Sequence, residues 1–341
     1  MIWLLVDSRS VGGIERHVAI LSEALERSGE PAEVVLLADH GDNPWRQQLK
    51  ASNLTCRTLD GSMGGLLRAV AKAKPALLHT HGYKANILGR VAARLTRTPV
   101  VATFHAGERA PFPVGAYQTI DEWSSVLGGR IAVSDAIQRS LPFKSTLVQN
   151  FLLTPRMPPA SPLPRRIGFV GRLSHEKAPD RFCEIARRCR GVAEWHVWGD
   201  GPMRAELERT YAADVVFHGL VTDLTAVWSS LGLLVMPSRA EGLPMAALEA
   251  LAAGVPIAAT AVGGLPNLVD PGRTGWLFDG ENPGDAERAI GAWAKLDEVQ
   301  QGNMRANCWS VVRETFSEQR QLPKILDVYR TAGWRYRRKT H

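Results

Sequence analysis

Short apolar runs alternate with amphipathic stretches along the whole chain. In the first half the runs IWLLVD, EVVLLAD, ALLHTH, VVATFH, RIAVS and TLVQN read as strands. Between them, apolar residues recur with helical period over Ile14–Ser28, Gly64–Lys74 and Ala85–Leu95. Strands that are apolar on both faces and separated by helices predict a parallel sheet covered on both sides. The second half repeats the pattern with RIGFVG, EWHVWG, VVFHG, LLVMPS, PIAATA and TGWLF. Its helices are predicted over Pro179–Arg190, Met203–Ala212, Thr222–Ser230, Pro244–Ala253 and Pro283–Leu296.

Between the halves lies TPRMPPASPLPRR. Proline neither donates to a sheet nor continues a helix, so residues 154–166 read as a linker. The predicted organisation is an α/β domain over 1–153, the linker, a second α/β domain over 167–320, and a C-terminal segment over 321–341. Ligands of doubly wound sheets bind beyond the carboxyl ends of the strands. The cleft expected between the halves is therefore the default site.

Composition narrows the classes. The 341 residues suffice for two cores, with 45% hydrophobic and 22% charged residues. Glycine and proline are scattered at turns without a repeat, which excludes collagen-like and low-complexity readings. The opening MIWLLVDSR meets Asp7 too soon for a signal peptide and reads as a first buried strand. No stretch approaches the roughly 20 apolar residues of a membrane span. A cytoplasmic location is expected. The four cysteines show no CxxC spacing, so free, mostly buried thiols and no metal site are expected. The net charge of +7 gathers partly at the end of the chain, in Arg330, Arg335, Arg337, Arg338 and Lys339 beside Trp334 and Tyr336. This reads either as a solubilising tail or as contact with an anionic membrane surface. No motif supports nucleic-acid binding.

Three segments carry candidate chemistry. SVGGIE, from Ser10 to Glu15, follows the first strand and opens a helix. Gly12 and Gly13 let a ligand approach the backbone, and a helix start offers free N–H groups to a phosphate; a plain tight turn fits as well. GFVGRLSHEK places Arg172 and Lys177 in the loop after the first strand of the second half. A guanidinium fork and an ammonium suit a diphosphate, although solvated loop charges read the same way. EGLPMAALE places Glu241 in a loop and Glu249 on a helix, separated by seven residues. A helical rise of about 1.5 Å per residue gives the two carboxylates a reach of up to roughly 12 Å. That spans a nucleotide sugar from sugar to ribose, each end offering hydroxyls to an acceptor. The N–H groups near Gly242 and Leu243 lie between. Gly263-Gly264 forms a further close-approach loop. His105 ends a strand of the first half, as ligand contact or structural histidine. A zinc site from His79, His81 and His105 lacks a fourth ligand of telling spacing.

Read together and in order, SVGGIERHV, THGYKAN, TFHAG, VGRLSHEK, WGDGPMRAEL, FHGLVTDL and SRAEGLPMAALEALAAGVPIAATAVGGLPNLV resemble the retaining glycosyltransferases of family 4, with the GT-B fold. The resemblance covers nearly the whole chain and is most specific from Arg166 to Phe278. The glutamate pair matches that family's E-x7-E motif. It implies two Rossmann-like domains facing a cleft, a nucleotide-sugar donor and no metal or other cofactor. Gly13, with Gly12, would lie against the donor phosphates. Arg172 and Lys177 would hold the diphosphate and stabilise its charge as the glycosidic bond breaks. Glu241 would bind the donor sugar and Glu249 the ribose, with Gly242, Leu243 and Pro244 lining the donor side. His105 would contact the sugar near the reacting centre, and a C-terminal helix would return to the first domain. Ala178 departs from the pattern, where the family usually has glycine.

The first domain is expected to hold a glycan or lipid-linked acceptor. Helices over Gly64–Lys74 and Lys84–Arg97 carry Arg68, Lys72, Lys74, Lys84, Arg90, Arg94 and Arg97. Such a basic face reads as a membrane-surface element or a solvated face. The resemblance implies peripheral association at the cytoplasmic leaflet during synthesis of lipopolysaccharide or another cell-surface polysaccharide. Asp121 and Glu122 read as a solvated helix start rather than as a base. Two competing readings share the fold: a nucleotide-sugar 2-epimerase and a non-catalytic sugar-nucleotide-binding protein.

Overall fold

The computed structural model describes residues 1–9, 11–41, 43–105, 112–153, 162–221 and 223–335. Ser10, the Ala106-Gly107 end of TFHAG, most of the proline-rich linker and the tail from Tyr336 lie outside the described residues. The chain forms two compact units, Met1–Leu153 with the segment from Glu318 onward, and Thr154–Ser317.

In the first unit the elements run β1 (Ile2–Val6), α1 (Gly13–Arg27), β2 (Ala32–Leu36), α2 (Pro44–Ala51), β3 (Cys56–Thr58), α3 (Met63–Ala73), β4 (Leu77–His81), α4 (Tyr83–Thr96), β5 (Val100–Phe104), α5 (Val114–Ser124), β6 (Gly129–Ala132), α6 (Asp135–Ser140) and β7 (Thr146–Leu147). The sheet is parallel throughout, in the order β3-β2-β1-β4-β5-β6-β7. Strands β1, β2, β4 and β5 are buried along their whole length, which is why they read as unbroken apolar runs. Trp3, Leu5, Val35, Leu66, Val70 and Leu78 form the centre of one core. Each such side chain, fully buried, contributes about 1.5–3 kcal/mol of transfer free energy.

Two helices escape the hydrophobic pattern for identifiable reasons. Helix α2 is short and mostly polar, and is set by Asn43, whose side chain accepts from the Trp45 N–H, with Pro44 at the first helical position. Helix α5 turns Tyr117, Ile120 and Trp123 outward to solvent and buries Asp121. Its apolar positions therefore point the wrong way for a sequence reading. Asp121 also corrects the expectation of a solvated helix start: it lies in the later half of α5 and ion-pairs with Arg90 of α4, itself buried. Arg90 accordingly drops out of the expected basic face.

The second unit runs β8 (Arg166–Val170), α7 (Pro179–Arg188), β9 (Glu194–Trp198), α8 (Arg204–Tyr211), β10 (Val216–Gly219), α9 (Thr225–Ser230), β11 (Leu233–Met236), α10 (Met245–Ala252), β12 (Ile257–Thr260), β13 (Gly275–Phe278), α11 (Pro283–Ala294) and α12 (Glu298–Thr315). Its sheet has the order β10-β9-β8-β11-β12-β13, again all parallel. Phe169, Phe182, Trp195, Val235, Ile290 and Trp293 anchor its core. Helix α12 opens with a reciprocal cap in which the Asp297 carboxylate accepts from the Gln300 N–H at 2.8 Å and the Gln300 side chain accepts from the Asp297 N–H at 3.0 Å. The last helix, α13 (Glu318–Thr331), packs on β5, β6 and α1 of the first unit.

Of the four cysteines, Cys183, Cys189 and Cys308 are buried and Cys56 partly so, all as free thiols. Among the described residues no helix is long and apolar enough to cross a membrane.

Candidate functional site

In the second sheet, strand order reverses between β8 and β11, and ligands of doubly wound sheets bind at such a reversal. The loop after β8 carries Gly171, Arg172 and Leu173. The Gly171 N–H donates to the Trp198 carbonyl at 3.0 Å and the Leu173 N–H to Asp200 at 2.9 Å. These bonds tie the loop to the one after β9 and leave the Arg172 side chain exposed between two fixed amides. The close approach needs glycine on the other side. A Cβ on Gly199 would lie 1.8 Å from the Gly171 carbonyl oxygen, and one on Gly201 would lie 2.5 Å from that of Leu173.

Lys177 and Glu241 come together here. Lys177 Nζ is 2.6 Å from Glu241 Oε2, with the carboxylate side chain 2% exposed and the lysine 29%. The hydroxyl of Ser238 donates to the other oxygen, Oε1, at 2.9 Å. The ammonium therefore keeps an open side while the carboxylate is held at both oxygens. The Lys177 loop is braced by Arg239, whose N–H donates to the Glu176 carbonyl at 2.8 Å. Its guanidinium forks onto Asp180 at 2.6 and 2.9 Å. Burial pushes the Asp180 carboxyl up, but the Arg239 hydrogen bond and charge outweigh it and hold it below the usual range. Ala178, next to Lys177, is buried and left-handed at φ 53°, the conformation that glycine adopts without strain.

The loop carrying Glu241 is seated on Gly263-Gly264. The Gly264 N–H donates to the Gly242 carbonyl at 2.6 Å, and a Cβ on Gly263 would lie 1.9 Å from the Glu241 carbonyl oxygen. Leu243 is buried, its side chain against Gly264, so it holds the loop rather than presenting a surface. Pro244 caps α10 rather than starting it, and Glu249 follows inside the helix, buried, accepting from Trp228 Nε1 at 3.3 Å. The structure thus joins Lys177 directly to Glu241 and places Glu249 against a different neighbour. A cavity of about 630 Å³ opens beside Ser238, lined also by Arg181, Arg239, Thr260, Phe278 and Glu281. Arg172, Lys177, Glu241 and Glu249 do not line it, so the convergent charges define the candidate site and the void does not.

The first unit carries its own polar group at the strand ends. Gly12 caps α1 and Gly13 begins it, both exposed. The Glu15 carboxylate folds back to within 2.9 Å of where a Gly12 Cβ would stand. Burial pushes its carboxyl up, against hydrogen bonds from the Glu15 and Gly12 N–H groups and from Ser8. The helix start that the sequence offered to a phosphate already holds an anionic side chain. Asp7, after β1, sits 2.8 Å from His40 Nε2 and 2.9 Å from Lys84 Nζ. Burial raises its carboxyl, and these two partners bring it below the ordinary value.

Four histidines gather nearby, from two elements and one loop. His79 of β4 is satisfied by Tyr329 Oη and Thr103 Oγ1, both at 2.7 Å, so it is a structural histidine and leaves the trio weighed from the sequence. His81 Nδ1 lies 3.0 Å from His105 Nε2, and His17 of α1 packs edge-on to His105. Burial pushes all four imidazoles down, His17 to about 4. Sequence reasoning missed Ser238, the Arg239–Asp180 brace, Trp228, His17 and the Asp7–His40 contact. Their spacing along the chain gives no sign of these meetings.

A family model described as Glycosyltransferase Family 4 matches residues 11–142, and one described as Glycosyl transferases group 1 matches residues 164–295. Together they cover about three quarters of the chain. The chain is 33% identical over 178 residues to a D-inositol 3-phosphate glycosyltransferase of Paenarthrobacter aurescens, covering 48% of this chain and 43% of that protein. It is 28% identical over 317 residues to the Mycobacterium tuberculosis protein of the same name, covering 80% of this chain and 65% of that one. The chain thus spans roughly half to two thirds of the length of these relatives. Among solved structures, Anabaena HepE in complex with UDP-glucose aligns over 97% of this chain and all of that one, with TM-score 0.84 and 18% identity. TarM of S. aureus, in a complex containing UDP, aligns over 96% and 99% with TM-score 0.82 and 12% identity.

Proposed function

We propose, for a chain that belongs to the glycosyltransferases of family 4 and has the GT-B fold, that its second unit binds a nucleoside-diphosphate sugar and donates a hexose-type sugar with retention of configuration. The observation that carries the reading is the Lys177–Glu241 pair at the strand reversal, with a half-open ammonium on a fully held carboxylate. A buried carboxylate fixed by Ser238 and a lysine is a preorganised acceptor for sugar hydroxyls. The open face of Lys177 and the exposed Arg172 supply positive charge for a departing diphosphate, where electrostatic stabilisation has most effect. Glu249 takes the ribose hydroxyls, beside the indole of Trp228. The leaving phosphate accepts the proton of the attacking hydroxyl on the same face of the sugar. HepE with UDP-glucose and TarM with UDP are reasons to test uridine diphosphate sugars first.

The acceptor is a glycan or glycolipid of a cell-surface polysaccharide such as lipopolysaccharide. Support comes from the first unit, where Arg68, Lys72 and Lys74 on and after α3, and Arg94 and Arg97 on and after α4, are all exposed. Such a face suits an anionic membrane surface, which would make binding to vesicles depend on anionic lipid and weaken with salt.

Calorimetry of UDP-, GDP-, ADP- and dTDP-sugars without added metal tests the donor. One binder whose affinity falls in Glu249→Ala, and whose turnover falls in Glu241→Ala, is expected. Unchanged binding and turnover in both variants would remove the assignment, and a donor converted without any acceptor would point to epimerisation.

A further inference from the structure

We propose that His17, His81 and His105 form a binding site for one transition-metal ion, held by three imidazoles with a fourth position open to solvent. The three rings each offer a ligand nitrogen, and these atoms all lie within 4.8 Å of one another. The ring centres are 5.0, 5.3 and 5.6 Å apart. Zinc binds imidazole nitrogen at about 2.0–2.1 Å, which puts each ring centre about 3.2 Å from the ion and tetrahedral neighbours about 5.2 Å apart. The observed triangle already has that size.

The hydrogen bonding points the same way. Nδ1 of His17 and Nε2 of His81 are buried and have no hydrogen-bond partner among the described residues. His81 and His105 share one proton between Nδ1 and Nε2 at 3.0 Å. If His81 donates there, its Nε2 is a bare buried acceptor; if it accepts there, its Nε2 is a buried N–H with nowhere to donate. Either tautomer strands a polar atom, which native cores rarely tolerate. The adjacent His79, satisfied at both nitrogens, shows the contrast. His17 and His81 are buried while His105 is half-buried, so entry lies on the His105 side. With no carboxylate in the group, the donor set suits zinc, cobalt, nickel or copper and not magnesium or calcium.

This site lies in the first unit and shares no residue with Arg172, Lys177, Glu241 or Glu249, and its test reads metal binding rather than sugar transfer. Untagged full-length chain, stripped with chelator, is titrated with cobalt(II) at pH 7.5 while its visible spectrum is recorded. Zinc is then titrated by calorimetry. The expected result is one ion per chain, with the strong d–d bands of a four-coordinate site, displaced by zinc. His17→Gln and His105→Gln should each weaken binding by more than about tenfold, as loss of a direct ligand exceeds the cost of losing a supporting contact. His218→Ala breaks the other imidazole pair, His196 with His218 at 2.8 Å in the second unit, and should leave the titration unchanged. Should His17→Gln fail to fold, His105→Gln at its half-buried position carries the comparison, with thermal melts as the check. No cobalt spectrum at about 100 µM, or a spectrum lost in His218→Ala and kept in His17→Gln, would overturn the site.

Discussion

The two units share one sheet plan and differ in what stands at the strand ends. In the first, β4 and β5 open onto imidazoles that burial keeps neutral. In the second, β8 and β11 open onto a charged lysine–glutamate pair. The same contrast appears between two ion pairs. Arg90 and Asp121 are exposed by 1% and 6% in their side chains, and the pair is closed to solvent. Lys177 shows 29% beside a carboxylate of 2%, and the pair is half-open. A closed pair braces a fold; a half-open pair offers charge to a ligand. Burial of a charged group alone does not mark a site, and the side left open decides.

The largest effect should come from the closed pair. Asp121→Ala leaves the Arg90 guanidinium buried without its anion, and about 3–5 kcal/mol of stability should be lost, read from the urea midpoint. If the folded variant instead lost turnover at normal stability, the two pairs would not differ in kind. At the open pair, the proposed role predicts that Lys177→Ala lowers kcat by roughly 10²–10³, with a smaller stability loss than Asp121→Ala because the Ser238 hydroxyl still holds the Glu241 carboxylate. A stability loss as large as that of Asp121→Ala would erase the distinction.

Acid should weaken the histidine cluster of the first unit. The folded pKa of His17 is about 4, below an ordinary 6.5, so between these values the unfolded chain binds the extra proton. Stability is therefore full above about 6.5 and falls as pH drops towards 4. His17 alone contributes a loss on the order of 2 kcal/mol by pH 5, and its three neighbours act in the same direction. Melting at pH 7.5 and pH 5 in wild type and His17→Gln checks this; an equal drop in both would assign the loss elsewhere. The smallest effect belongs to Ala178. Glycine there relieves the left-handed strain and should add about 0.5–1 kcal/mol of stability, measured by denaturant melts. A destabilised Ala178→Gly would show that the alanine methyl packs better than the backbone strains.

How much of this the sequence shows depends on the kind of burial. Strands buried on both faces announce themselves, so β1, β2, β4, β5, β8 and β11 are legible as apolar runs. Helix α5 is not, because Tyr117, Ile120 and Trp123 face solvent and Asp121 faces in. Arg90 and Asp121 look like surface charges until their partners are known. In the candidate site, Arg172, Lys177, Glu241 and Glu249 stand out by chemistry, since cations and carboxylates follow strand ends. Ser238 and His17 do not: Ser238 meets Glu241 only through the local fold of a turn, and His17 meets His81 and His105 from two other strands' ends. Gly12 and Gly13 were legible as a helix start, but not that Glu15 folds back over it.

Helix α13 follows the second unit in the sequence yet completes the first, setting Tyr329 against His79. During synthesis, residues 1–153 leave the ribosome well before Tyr329 does. At about 5–20 residues per second the interval is roughly 10–30 s. Over that interval the ring of His79 lacks one partner and the outer faces of β5 and β6 lack their cover. The first unit is begun first and finished last, and the second can fold in between as an uninterrupted piece of chain. A chaperone that shields a half-built sheet would find its client in that interval, and a circular permutation joining residue 331 to residue 1 would abolish it.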